Sequence, residues 1–261
     1  MPNKLIKSAI LWTIALGLTT NMTLPNVAGQ TSESSRPNSQ QQTGAPTNSN
    51  HSLTDQEDSV SGFDYAPYLF YRDFDYYGTG NEFAGYKVSL DYPLNEDGVY
   101  QFRMQSSGTT IAYVYQLREE GLVELAYFPE TYELVDMRQH PDSLDDLYSL
   151  ILPNQLKIGD NFKSGYSQQS DYQVADIYPT YQVGESTYEN VVVLTLSSDP
   201  ETQSYFYLAP GVGYVDYEFV FKDDDMYSIT EVLKSAKNPL DYSGLNLAKS
   251  FDLPEKGVDI P

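Results

Sequence analysis

The chain has 261 residues, 40% of them apolar, with 15 basic against 37 acidic side chains and a formal net charge of −22. That length allows one substantial core or two small ones, and the acidic excess excludes nucleic acid as a partner, since phosphate binding needs clustered Lys and Arg. The complete lack of cysteine excludes thiol catalysis, thiolate metal sites, disulfide staples and a lipid-modified N-terminal cysteine.

In chain order, Lys4 and Lys7 precede an apolar run over 9–18, followed by a polar stretch and the small residues Ala28 and Gly29. This is the three-part plan of a secretory signal peptide. A run of ten residues falls well short of the roughly 20 that span a bilayer. Residues 1–29 are therefore expected to be removed, leaving no transmembrane segment and a secreted, extracellular protein. Removal takes Lys4, Lys7 and the only tryptophan, Trp12, so 13 basic residues then face 37 acidic ones for a net charge of −24. Residues 30–60 are rich in Ser, Gln, Asn, Thr and Pro. Such a segment cannot bury enough apolar surface to offset its ordering entropy and is expected to be a disordered linker.

The folded domain is expected over 61–237, with a weakly structured tail at 238–261. It opens on an aromatic cluster over 63–86, read as core edge and rim. From Tyr86 the chain alternates regularly: Tyr86, Val88, Leu90 and Tyr92, then Tyr100, Phe102 and Met104, then Ile111, Tyr113, Tyr115 and Leu117, then Val123, Leu125 and Tyr127. Turn residues at 95–98, 106–108 and 119–121 separate them, so the pattern predicts a four-stranded antiparallel meander. Leu144, Leu147, Tyr148 and Ile151 recur at helical spacing after Ser143, with Asp145 and Asp146 in the first turn and Pro153 as a stop. This spacing predicts one short helix around 143–152. A second β half starts near Leu156, and 188–233 reads as four strands with breaks at 199–200, 210–213 and 222–225. The expected fold is all-β and mainly antiparallel: two meanders forming one strongly curved sheet or half-barrel, with the helix plugging one side.

The templates of catalysis find little here. The histidines are His51 and His140, there is no GxSxG string, and no glycine-rich loop precedes a helix, which excludes a serine elbow and a phosphate cradle on sequence grounds. Asp73, Asp75 and Gly78 stand at positions one, three and six of a calcium-hand loop, but Tyr77 holds position five and Ala84 position twelve. No catalytic set, metal or cofactor is expected. Carboxylates are abundant without a spacing that selects a pair for glycoside hydrolysis. The 24 tyrosines on an exported β-domain point instead to binding of an extracytoplasmic ligand or envelope protein.

The strings YYGTGNEFAGY at 76–86, SSGTT at 106–110 and VYQL at 114–117, with PNQLKIGDNF at 153–162, TYENVVVL at 187–194 and YFYLAPGVGYV at 205–215, resemble a family of uncharacterised exported β-rich proteins and lipoproteins of Gram-positive bacteria. The resemblance spans roughly residues 65–235 and implies export and a β-rich fold, without an activity. Phe74 stands where that family carries a tryptophan, and the lipobox cysteine of many members is lacking. Within the first string, Tyr76, Tyr77, Asn81 and Glu82 are the candidate binding residues, the segment 80–82 reading either as a turn that fixes the first strand or as part of a binding rim. The function expected is that of a non-enzymatic binding module; the alternative is a carboxylate-dependent hydrolase of an extracellular glycan.

Overall fold

Side-chain alternation places one face of each predicted strand against a core, and antiparallel neighbours joined by tight turns satisfy the backbone between them. A computed structural model describes residues 59–81, 84–196, 201–221, 224–243 and Leu247. It shows β1 (Ser59–Ser61), β2 (Tyr71–Thr79), β3 (Gly85–Tyr92), β4 (Val99–Gln105), β5 (Thr110–Arg118), β6 (Gly121–Phe128) and β7 (Ser149–Pro153). These are followed by β8 (Gln155–Lys157), β9 (Asn161–Ser164), β10 (Ser170–Val183), β11 (Ser186–Leu196), β12 (Thr202–Ala209), β13 (Gly213–Phe221) and β14 (Asp224–Pro239). Strands β1 and β8 pair with each other; the other 12 form one antiparallel sheet in the order β7-β6-β5-β4-β3-β2-β14-β13-β12-β11-β10-β9.

The fold is thus all-β, built from two meanders. The first runs from β2 to β7 and the second from β9 to β14, each six strands long rather than about four. They join through the β2–β14 ladder, in which Tyr76 faces Leu233 and Tyr77 faces Val232. At the far ends β7 and β9 meet without a ladder: the Gly165 amide donates to Ser149 Oγ at 2.7 Å, and the Ser149 and Ser164 hydroxyls lie 3.3 Å apart. The sheet is therefore nearly closed, with one backbone join and one side-chain seam. Ser59 and Val60, assigned above to the linker, already belong to β1; residues 1–58 lie outside the described residues.

The aromatic lead-in plugs the concave side. Phe63, Tyr65, Ala66, Tyr68 and Leu69 are buried around a 3-10 turn at Gly62–Tyr65. Tyr100 donates its hydroxyl to Pro67 O at 2.9 Å from the first meander, while Gly211 N donates to Asp64 O at 2.7 Å from the second. Gly213 has φ +92°, and a Cβ there would lie 2.6 Å from Pro67 Cα, so only glycine lets the β12–β13 turn approach the plug.

The helix expected at 143–152 is not formed. Residues 144–148 are irregular, and Ser149–Pro153 is β7, with Leu152 opposite Leu122 and Leu150 opposite Val123. Ser143 spends its hydroxyl on Met137 O at 2.8 Å instead of capping a helix, and Leu144 is 63% exposed. A helix here would leave the β6 edge unpaired. The ladder satisfies those backbone groups and buries Leu152, which outweighs a local periodicity of four residues.

Candidate functional site

The expected site residues do not converge. On a strand, neighbours point to opposite faces, so β2 sends Tyr76 inward and Tyr77 outward. Tyr76 is buried, stacks on Tyr86 at 4.5 Å and donates its hydroxyl to Tyr214 O at 2.7 Å. Tyr77 is 61% exposed. The Asn81 carbonyl accepts from the Ala84 amide at 3.4 Å, as a turn between β2 and β3 requires. Glu82 lies outside the described residues.

The interior holds two carboxylates that sequence reasoning missed. Glu124, on β6 opposite Tyr115 and Ser149, accepts the Tyr166 hydroxyl at 2.7 Å. Burial pushes its pKa up to about 7, opposed by the hydrogen bonds from Tyr166 and Tyr115. Its second oxygen and the Tyr113 hydroxyl have no hydrogen-bond partner among the described residues. Glu231, on β14 opposite Gly78 and Tyr217, accepts the Gly85 amide at 3.2 Å and is likewise raised to about 7 by burial. Gly78 leaves room for this arrangement, since a Cβ there would sit 2.2 Å from Gly85 N. Through these bonds Glu124 ties Tyr166 to β6 and Glu231 ties the start of β3 to β14.

The outer face of the second meander differs. Register places Tyr77, Val232, Asp216, Tyr207, Val193 and Asp176 in one cross-strand row over β2, β14, β13, β12, β11 and β10. At strand spacing the row is about 24 Å long. Beside it, Tyr181 stacks on Tyr207 with ring centres 4.6 Å apart and planes 8° apart, and Tyr178 lies 6.0 Å from Tyr181 and 6.5 Å from Tyr207. These three partly exposed rings cover Val191 and Val193, which are buried although they are on the outer side. Tyr181 donates its hydroxyl to Asp216 Oδ2 at 2.8 Å. Burial lifts Asp216 to about 6, against the pull of the Tyr181 and Tyr217 hydrogen bonds, and Glu218, two positions along the same face, is also raised by burial.

The first meander covers the same side with its own chain. Gln101, fully buried, donates to Val135 O at 2.8 Å and accepts the Met137 amide at 2.6 Å. Arg103 donates to Tyr132 O at 3.1 Å while bonded to Asp91. These contacts lay residues 129–148 as a roof over Val99, Val114, Val123 and Leu125, against which Met137 and Tyr148 of the roof pack. Period-two alternation at 176–178 and 205–207 marks which tyrosines share a face; nothing in it shows that β10 and β12 bring them together.

No family model matches the chain, and no curated protein matches it. Solved structures are similar, two of which are as follows. One is described as an exported protein with a YmcC-like fold from Bacteroides fragilis, 12% identical, covering 65% of this chain and 100% of its own, with a TM-score of 0.36. The other, a lipoprotein from Parabacteroides distasonis, is 12% identical, covers 66% of this chain and 98% of its own, and has a TM-score of 0.31.

Proposed function

We propose that the protein is exported and works as a binding module, engaging an extracytoplasmic ligand on the outer face of β10–β13. The Tyr178, Tyr181 and Tyr207 cluster beside Asp216 carries this reading. It is an aromatic surface with a hydrogen-bonding carboxylate at its edge, on the half of the sheet over which the described residues lay no roof. Buried valines beneath the rings hold the surface rigid, so little conformational freedom is lost when a ligand seats. Export is supported by the signal-peptide plan of 1–29, and membership of the Gram-positive exported family by the motifs between 76 and 215.

The test compares sedimentation of the purified protein with isolated cell envelopes before and after Tyr181→Leu and Tyr207→Leu. Loss of co-sedimentation is expected; undiminished attachment would remove the face from consideration. Intact mass of protein from the medium should begin near Gln30, and its emission should lack tryptophan, since Trp12 is the only one.

A second reading, hydrolysis of an extracellular glycan, has Asp216 and Glu218 for its carboxylates. At i and i+2 of β13 their Cα atoms stand about 7 Å apart, within the span such pairs use. Release of reducing ends from envelope polysaccharide, abolished by Asp216→Asn, would favour it over binding alone.

A further inference from the structure

The two halves of the sheet use one chemistry differently, and the difference names a ligand. In the first meander, every cation–ring contact among the described residues is an arginine over a tyrosine beside a carboxylate. Arg138 sits 4.9 Å from the Tyr92 ring centre and bonds both oxygens of Asp136. Arg118 sits 4.5 Å from the Tyr148 ring centre, with Glu120 4.0 Å away. Both contacts join the roof to the strands beneath it: Arg138 belongs to the roof and Tyr92 to β3, while Arg118 belongs to β5 and Tyr148 to the roof. Arg103 holds the same roof from β4.

Across β10–β13 the tyrosines and carboxylates are present and the cation is not, the lysines of this half lying on its flanking strands, Lys163 on β9 and Lys234 and Lys237 on β14. Residues 164–221 contain no Lys, Arg or His, against eight acidic residues and nine tyrosines. Asp216, Glu218 and Asp176 share the outer face with the three-ring cluster, as their register shows. We infer that this face docks an arginine-bearing segment of a basic partner polypeptide, with a guanidinium against the Tyr178, Tyr181 and Tyr207 cluster and its charge facing Asp216 and Glu218. This rests on the binding face proposed above and specifies its ligand.

Charge complementarity selects the partner, since four adjacent strands, β10–β13, that carry carboxylates and no cation repel acidic chains and wall polymers. Ring chemistry selects arginine over lysine, because a planar guanidinium stacks on an aromatic face and forks onto a carboxylate, whereas an ammonium does neither as well. The row from Tyr77 to Asp176, about 24 Å long, matches an extended segment of about seven residues. Such a segment would cover the second meander as 129–148 covers the first.

The experiment is calorimetric titration of the exported chain with three probes: an arginine-rich peptide of about eight residues, a lysine-rich peptide of equal length and charge, and a neutral dextran oligosaccharide. The arginine peptide is expected to bind, and the lysine peptide to bind about five-fold more weakly or worse. Tyr207→Leu and Tyr181→Leu, which leave net charge unchanged, should weaken the arginine peptide about five-fold. Glu218→Gln, on the same row as Tyr205, should weaken it too, and serves if either tyrosine variant fails to fold. Equal binding of both peptides, indifferent to the tyrosine variants, would show general attraction to an acidic protein and overturn the inference, as would binding of dextran alone. If the arginine peptide fails to bind while Tyr207→Leu still abolishes envelope attachment, the ligand class falls and the binding face stands. If Tyr207→Leu changes neither, both fall.

Discussion

Among the described residues, the first meander is covered on both sides and the second on one. Between β3 and β7 the outer face is closed by residues 129–148, pinned through Gln101, Arg103, Arg118 and Arg138. Between β10 and β13 no described residue supplies an equivalent, and valines are shielded instead by half-exposed tyrosines. A sheet with both faces covered is a structural wall; the outer face of β10–β13 ends instead in aromatic rings and carboxylates, the face proposed above for binding.

The sharpest way to break the comparison is to ask whether the halves are separable. Gly213→Val would drive a side chain into Pro67 at a positive φ and should cost at least about 4 kcal/mol. Because both meanders grip the same lead-in, hydrogen exchange should show protection lost in β3–β6 as well as in β12–β13. Protection retained in the first half would mean two independent units.

Next in size is the seam where Tyr166 of the second half bonds Glu124 of the first. The buried carboxyl keeps its proton up to about pH 7 in the folded protein, against the 4.5 of an ordinary glutamate. Between those values the folded state holds a proton that the unfolded chain has released, so stability falls as pH rises, by on the order of 3 kcal/mol. Glu231 moves in the same direction. Denaturant midpoints should therefore be higher at pH 5 than at pH 8, and Glu124→Gln should flatten part of that slope; a midpoint that climbs toward pH 8 would contradict the burial of Glu124.

Gln101→Leu tests the roof. It strands Val135 O and the Met137 amide and should cost about 2 kcal/mol, with new protease cuts appearing within 129–148. The smallest effect belongs to the open face: Tyr207→Leu removes one ring from a partly exposed stack and should cost about 1 kcal/mol of stability while reducing binding. A larger loss of stability than Gln101→Leu causes would make the tyrosine cluster a structural element, and the contrast between the halves would vanish.

Where the alternation was strict it was legible. The strands at 86–92, 100–105, 111–117 and 215–221 could be placed from period two, and Gly98 marked its turn because Asn95 Oδ1 accepts the Asp97 and Val99 amides around it. Residues 143–153 misled because Leu144, Leu147, Tyr148 and Ile151 fit a helix period by spacing alone. Only the unpaired edge of β6 decides that Ser149–Pro153 extend. Tyr77 was legible as a candidate and proves to be one end of the outer row, but Tyr76, next to it, was claimed for a site and belongs to the core.

The amino-acid sequence by itself determined the class of fold, the meander order within each half, the absence of cysteine chemistry and the acidic charge, because these depend on composition and on contacts between neighbours in the chain. Tertiary structure alone decided which meander edges meet, that the aromatic lead-in is a plug, that Glu124 and Glu231 face inward, and that Tyr178, Tyr181, Tyr207 and Asp216 share one surface. Those outcomes depend on pairing between residues as far apart as Tyr77 and Val232. Period two tells which residues share a face of one strand, and is silent about which strand comes to lie beside it.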